Sequence, residues 1–186
     1  MRQPDQPARR VTCLLLILAF LAAVAVSSWF ADPGRSSRGK PAVSPVHSHR
    51  YLVAVRVARG VRSTPLRGLG WLIERVGFRE GVSPFFMVGA SGTESSVFRA
   101  PCSGNPRNGW GLGSCGAAWR APYFRTWEQA FTYYARHVRR LWPRARTPFE
   151  LYGYCACGSA YWGSKTVAWM RLLFGAGVPT GVRYPT

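Results

Sequence analysis

Downstream of residue 40 the chain holds no aspartate and five glutamates, so any carboxylate chemistry must use Glu74, Glu80, Glu94, Glu128 or Glu150. Four of them have ordinary readings. Glu74 and Glu80 stand beside Arg75 and Arg79 in contexts that read as exposed, and Glu150 follows Pro148 and Phe149. Glu128 falls in the first turn of a capped helix, where a negative charge suits the dipole. Glu94 differs. It follows the uncharged run FFMVGASG and precedes a glycine-rich loop, and its competing reading is a simple ion pair with Arg99 or another of the many arginines. A carboxyl held against apolar and aromatic neighbours has its acid form favoured, which suits a general acid that protonates a leaving group near neutral pH.

The cysteines are the second set with chemical meaning. Cys13 lies within an apolar run, leaving Cys102, Cys115, Cys155 and Cys157. An even number in an exported domain reads as two disulfides, with three connectivities open; pairing Cys155 with Cys157 closes a small ring, and crossing each to Cys102 or Cys115 is the alternative. Four thiolates on zinc need spacings nearer C-x2–4-C than the C-x12-C and C-x-C present, so no metal and no cofactor are expected.

Export is read from the N-terminus. Arg2, Arg9 and Arg10 precede the uncharged run from Val11 to Ala31, about the length a bilayer core requires. Residues 1–31 are therefore a signal anchor or a cleaved signal peptide. Ala25 and Ser27 offer a small-x-small cleavage site, while Trp29 and Phe30 suit the interfacial end of a spanning helix. Residues 32–49, rich in Pro, Gly, Ser and Arg, read as a linker, with His47 and His49 solvated within it.

The elements that must position Glu94 follow from periodicity and capping. Residues 50–62 alternate well enough for a strand yet also fit helical spacing, so their type stays open. Leu69, Leu72, Ile73 and Val76 make one face of a helix. Ser83 is a natural N-cap with Pro84 at the first helical position, opening a helix to about Ser96 whose stripe of Phe85, Val88, Gly89 and Gly92 should be buried. Residues 100–122 carry too many Gly, Pro and Asn for regular helix and read as a long loop or a β-hairpin. Thr126 and Gln129 form a capping box ahead of a helix over 126–141, and a last helix covers 160–174. No internal repeat is visible. The expected class is mainly α, with some α+β character in the loop region, built on residues 50–186 as one domain.

Composition excludes a disordered basic tail: the chain carries a formal +18 yet is 47% hydrophobic, with 8 Trp, 8 Tyr and 10 Phe. Such charge suits a polyanion, and the patch RRLWPRAR is densest. The export signal argues against nucleic acid and for anionic cell-wall polymers.

The block VSPFFMVGASGTESSVF, then NGWG, YFRTWEQAFTYYARHV and YGYCACGSAYWGSKTVAWM, resembles the bacterial glucosaminidase family of peptidoglycan hydrolases, in the lysozyme-like superfamily, over residues 80–175. The resemblance implies a lysozyme-like helical domain that cleaves β-1,4 bonds of peptidoglycan glycan strands, with Glu94 as catalytic acid. It implies substrate contacts from Asn108, Trp110, Tyr154 and Tyr161, and Trp110 and Trp162 are expected to stack on sugar faces. Where the family often has a glycine two or three residues after Glu-Ser, this chain has Val97, Phe98 and Arg99. Glycoside hydrolysis normally uses two carboxyl groups. Glu150 is the candidate second carboxylate, and Glu128 a poorer one. Single-acid routes, in which the sugar's acetamido group or a C6 hydroxyl attacks the anomeric carbon, make lytic transglycosylation an alternative. A wall-binding module without activity is another. The expected location is the cell membrane with an extracytoplasmic domain, or secretion to the wall.

Overall fold

The structure, a computed structural model, describes residues 44–101, 105–113 and 121–185. The expected N-terminal helix over 1–31, most of the expected linker, Cys102 and Cys115 lie outside the described residues. The described part is mainly helical: α1 (Pro45–Gly60), α2 (Gly70–Glu80), α3 (Pro84–Ser95), α4 (Trp127–Leu141) and α5 (Ser159–Phe174), with a 3-10 turn at Pro148–Glu150. Among the described residues the β structure is one isolated antiparallel bridge, Val82 with Arg183. Residues 105–113 form successive turns without a strand.

At the start of the domain one expectation is corrected and one open choice is decided. The linker does not run to residue 49, because Pro45 opens α1 and His49 donates from Nε2 to the Pro185 carbonyl at 2.9 Å. The open segment 50–62 is mostly helix. Its buried residues Val53, Ala54 and Val57 recur at helical spacing, and a strand would have sent Val53 and Ala54 to opposite faces.

Helix α3 is the centre of the core, with every residue from Pro84 to Gly92 buried. Its start follows from local chemistry: Ser83 Oγ accepts the Phe86 N–H at 3.3 Å, and Pro84 occupies a position whose N–H would have had no partner. Its small residues let α5 approach closely. A Cβ at Gly89 would collide with Met170 and press on the Thr166 carbonyl, and one at Gly92 would collide with the Trp169 ring. Helix α4 lays Ala130, Phe131, Tyr134, Ala135 and Val138 on the core. Thr126 and Gln129 make the reciprocal capping box at its start, each satisfying a backbone N–H that the first turn leaves free.

Glu74 and Glu80 correct a further expectation, since both are buried and not exposed. Arg50 holds Glu74 at 2.8 Å and the Tyr184 hydroxyl donates to the same carboxylate at 2.8 Å, which ties α1 and the C-terminal tail to α2. Glu80 meets Arg79 at 3.0 Å and Arg136 at 3.2 Å, tying α4 to α2. Burial works against charge on Glu80, but the Arg136 and Arg79 hydrogen bonds outweigh it and hold the carboxyl below its ordinary range. A buried carboxylate needs such partners, because removing a charge from water without them costs several kcal/mol.

Candidate functional site

Glu94 sits one residue from the C-terminal end of α3, in a wall of aromatic rings. Its Oε1 accepts the Trp162 indole N–H at 2.6 Å. Trp162 lies against Tyr154 with centroids 4.3 Å apart, Tyr154 against Trp142 at 5.5 Å, and Trp162 edge-on to Phe86 at 6.3 Å. Beside it, the hydroxyls of Thr93 and Thr166 lie 3.1 Å apart and link α3 to α5. Of the five glutamates, Glu94 alone has no ion pair and no carboxylate-binding turn among the described residues. Partial burial raises its pKa, opposed only by the Trp162 hydrogen bond, so the acid form is favoured relative to an ordinary glutamate. The negative charge of Glu94 reaches two tyrosine hydroxyls in turn. Burial first, and then Glu94, push the Tyr154 hydroxyl well above its usual range; Tyr134 is raised by burial, by Tyr154 and by Glu94.

The backbone that follows Glu94 is unusual. Ser96, Val97 and Phe98 take φ values of 51°, 59° and 61°, three successive left-handed residues with no glycine among them. Each costs an L-residue roughly 1–2 kcal/mol, and the β-branched Val97 is the least suited of the three. The surroundings hold them there. Ser95 Oγ lies 2.7 Å from the Gly109 carbonyl, to which it donates, and accepts the Phe98 N–H at 2.9 Å. Val97 and Phe98 are buried, and the Phe98 ring stands edge-on to Trp110 at 4.9 Å. Positive φ at this point is the conformation a glycine adopts without strain. Strain of this kind persists where neighbours over-determine the backbone, as the Ser95 hydrogen bonds and the buried Val97 and Phe98 do here.

The expected site residues divide. Trp162 and Tyr154 are brought to Glu94, but Trp162 is corrected in role: it is only 1% exposed and serves as hydrogen-bond donor to the carboxylate, with no open face for a sugar. Tyr154 is half-buried and donates to the Trp110 carbonyl at 3.3 Å. Trp110, expected to stack on a sugar face, instead fills the core. It is 1% exposed, stacks on Tyr134 at 4.4 Å with planes 5° apart, and donates to the Met87 carbonyl at 2.8 Å. Asn108 is likewise buried, its amide spanning the turn by donating to Leu112 O at 2.8 Å and accepting from Leu112 N at 3.2 Å. It shapes the loop and presents no group to a ligand. Tyr161 is 58% exposed at the start of α5, with the Lys165 ammonium 5.4 Å from its ring centroid, and makes no contact with Glu94.

Glu150 does not join Glu94. One oxygen accepts the Arg146 N–H at 3.0 Å and the other the Thr147 hydroxyl at 2.8 Å, bonds that lower its pKa and brace the 3-10 turn. Glu128, exposed, pairs with Arg79 at 2.9 Å and Arg75 at 3.4 Å. Among the described residues, therefore, the Glu94 site has a single carboxylate. Cys155 and Cys157 are joined to each other, closing the loop directly after Tyr154, which decides that half of the cysteine pairing; Cys102 and Cys115 lie outside the described residues. No three His, Cys, Asp or Glu side chains gather as metal ligands among the described residues.

Sequence patterns alone did not single out Ser95 or Tyr134. The Tyr134 hydroxyl is fully buried with no partner of hydrogen-bonding geometry, close enough to Tyr154 and Glu94 for each to raise its pKa. Its signal in the sequence is only helical spacing, which any core residue shares. No family model, curated protein or solved structure matches the chain. What the arrangement can do chemically rests on its own geometry: partial burial lets Glu94 keep its proton to higher pH than an ordinary glutamate.

Proposed function

We propose that this chain is an exported glycoside-cleaving enzyme of the peptidoglycan cell wall, with a lysozyme-like domain and Glu94 as its general acid. The observation that carries the reading is the isolation of Glu94. In a chain with 25 cationic residues and 7 acidic ones, the other four glutamates beyond residue 40 are all held by arginines or by a turn, while Glu94 is left among aromatic rings with its acid form favoured. A structural carboxylate would be expected to take one of so many arginines. Peptidoglycan as substrate is supported by the resemblance over residues 80–175, and export by the apolar run after Arg9 and Arg10 together with the Cys155–Cys157 disulfide. The run either anchors the domain to the membrane or is removed, and the net positive charge favours anionic wall polymers over nucleic acid.

The single carboxylate favours a single-acid route. Glu94 gives its proton to the glycosidic oxygen as that bond breaks, and the substrate itself supplies the nucleophile to the anomeric carbon. Either the acetamido oxygen attacks and water then opens the resulting oxazoline, giving hydrolysis, or the C6 hydroxyl attacks, returns its proton to the Glu94 carboxylate and leaves an anhydro sugar. Incubating the protein with purified peptidoglycan and resolving the fragments by mass spectrometry tests this. New reducing ends or anhydro ends support the reading and tell the two routes apart. Unchanged glycan that nevertheless retains the protein supports a wall-binding module.

A further inference from the structure

The face of α4 turned away from the core forms one wall of a groove of about 820 Å³, closed on the other side by residues 122–125 and Arg79. The helix builds it by amphipathicity: Ala130, Phe131 and Tyr134 face the core, while Gln129, Tyr133, Arg136, His137 and Arg140 line the groove. From Glu128 to Arg140 the wall runs about 18 Å at 1.5 Å per residue. Its charges are unevenly neutralised. Arg79 and Arg136 are engaged by Glu128 and Glu80, whereas Arg125 and Arg140, towards opposite ends, carry no ion pair among the described residues. Between them lies an aromatic platform. Tyr133 is 43% exposed, stacked against His137 at 6.2 Å and tilted on Phe124 at 5.3 Å, and Tyr123 stands 74% exposed at the lip.

Arginine forks recognise carboxylates in two-pronged geometry, and an amphipathic tyrosine ring offers an apolar face with a polar tip. A small anion cannot reach both free arginines across such a length, so the occupant must be extended. The geometry points to a glycan-binding groove separate from Glu94, which takes an extended saccharide chain bearing carboxylates: Arg125 and Arg140 receive carboxylates one or more sugars apart, and Tyr133 stacks on a ring between them. The tyrosine takes the face of a sugar ring and the arginines its carboxylates, which a neutral glycan or a plain polyanion meets only in part; nucleobases with phosphates would meet both, and the export reading above is what selects the glycan. This assignment does not depend on Glu94 being an acid. It would hold the chain's domain on an acidic glycan whether or not that glycan is cut.

The test is calorimetric titration of the full chain with a hyaluronan decasaccharide, a chitin hexasaccharide, polyglutamate and single-stranded DNA. The decasaccharide should bind at least about tenfold more tightly than the chitin oligomer, with an affinity that falls as salt rises. The pair Arg125→Gln and Arg140→Gln should weaken it by about tenfold or more and flatten the salt dependence. Tyr133→Ala should weaken the decasaccharide but leave polyglutamate unchanged, and Tyr133→Phe should restore it. All three positions are on the surface, and far-UV circular dichroism checks that the variants fold. Unchanged binding in the arginine pair overturns the assignment. So does polyglutamate or DNA binding as tightly as the decasaccharide, which would make the groove a site for plain charge or for nucleic acid and not for an acidic glycan. Because the readout is binding alone, an inactive Glu94 would not produce either result.

Discussion

Truncating Trp110 to alanine separates a core role from a ligand role at the residue where sequence and structure disagree most. The indole is 1% exposed, stacked on Tyr134, edge-on to Phe98 and Phe131 at 4.9 Å each, and bonded to the Met87 carbonyl. Aromatic-to-alanine changes in cores cost about 3–5 kcal/mol, from lost burial and the cavity left behind. Trp110→Ala should fall toward the upper end, because it also removes a buried hydrogen bond to the central helix, worth about 0.5–1.5 kcal/mol net. Against a typical total stability of about 5–15 kcal/mol, that is enough to lower the melting temperature by about 10 °C or more. Urea unfolding followed by far-UV circular dichroism would measure it, with glycan binding recorded on the fraction still folded. Trp110→Phe, which keeps an aromatic ring but loses the N–H, should lie between. A Trp110→Ala protein within about 1 kcal/mol of wild type that had lost glycan binding would refute the reasoning and return Trp110 to the ligand.

Three further outcomes are expected. Ser95→Ala removes the hydroxyl that serves both Gly109 O and Phe98 N, and should cost about 2–4 kcal/mol in chemical denaturation while disturbing the left-handed residues behind Glu94. Activity should fall on the alkaline side as the Glu94 proton is lost, and Trp162→Phe, which deletes the bond favouring the carboxylate, should move that limb to higher pH in a pH–rate profile. The same raised pKa means the native state binds more protons than the unfolded chain between their two pKa values, so its contribution to stability is lost as pH rises through that window; Glu94→Gln should therefore raise the melting temperature, relative to wild type, more at pH 7 than at pH 3 in calorimetric scans.

What could be read from the sequence was what neighbouring residues decide. Ser83 with Pro84, and Thr126 with Gln129, carry their helix starts within four residues, and the uncharged, small-residue run before Glu94 already implies a buried helix. What could not be read depends on distant partners. Glu74 is buried because Arg50 and Tyr184, 24 and 110 positions away, come to it, and beside Arg75 it looks like any surface glutamate. Trp110 and Asn108 sit in a Gly-rich loop, where composition suggests exposure. Their burial follows from Ser95 pinning that loop to the end of α3 through the Gly109 carbonyl. Trp162 meets Glu94 through its N–H and has no open ring face, a distinction that a tryptophan's type alone does not make. Residues 96–98 show the same limit from the other side: nothing in Ser-Val-Phe announces three left-handed residues, which only the surrounding packing imposes.

The central claim is that Glu94 supplies the proton that breaks a glycosidic bond. Its most direct measurement is release of soluble fragments from purified peptidoglycan by wild type and by Glu94→Gln, near-isosteric and still able to accept the Trp162 N–H, with both proteins shown to fold. General acid catalysis is typically worth about 100-fold to 10,000-fold, so the variant should lose at least about 99% of the rate while keeping its affinity for the wall. A Glu94→Gln protein that releases fragments at the wild-type rate would contradict the account, and Glu94 would then be a structural residue at the end of α3.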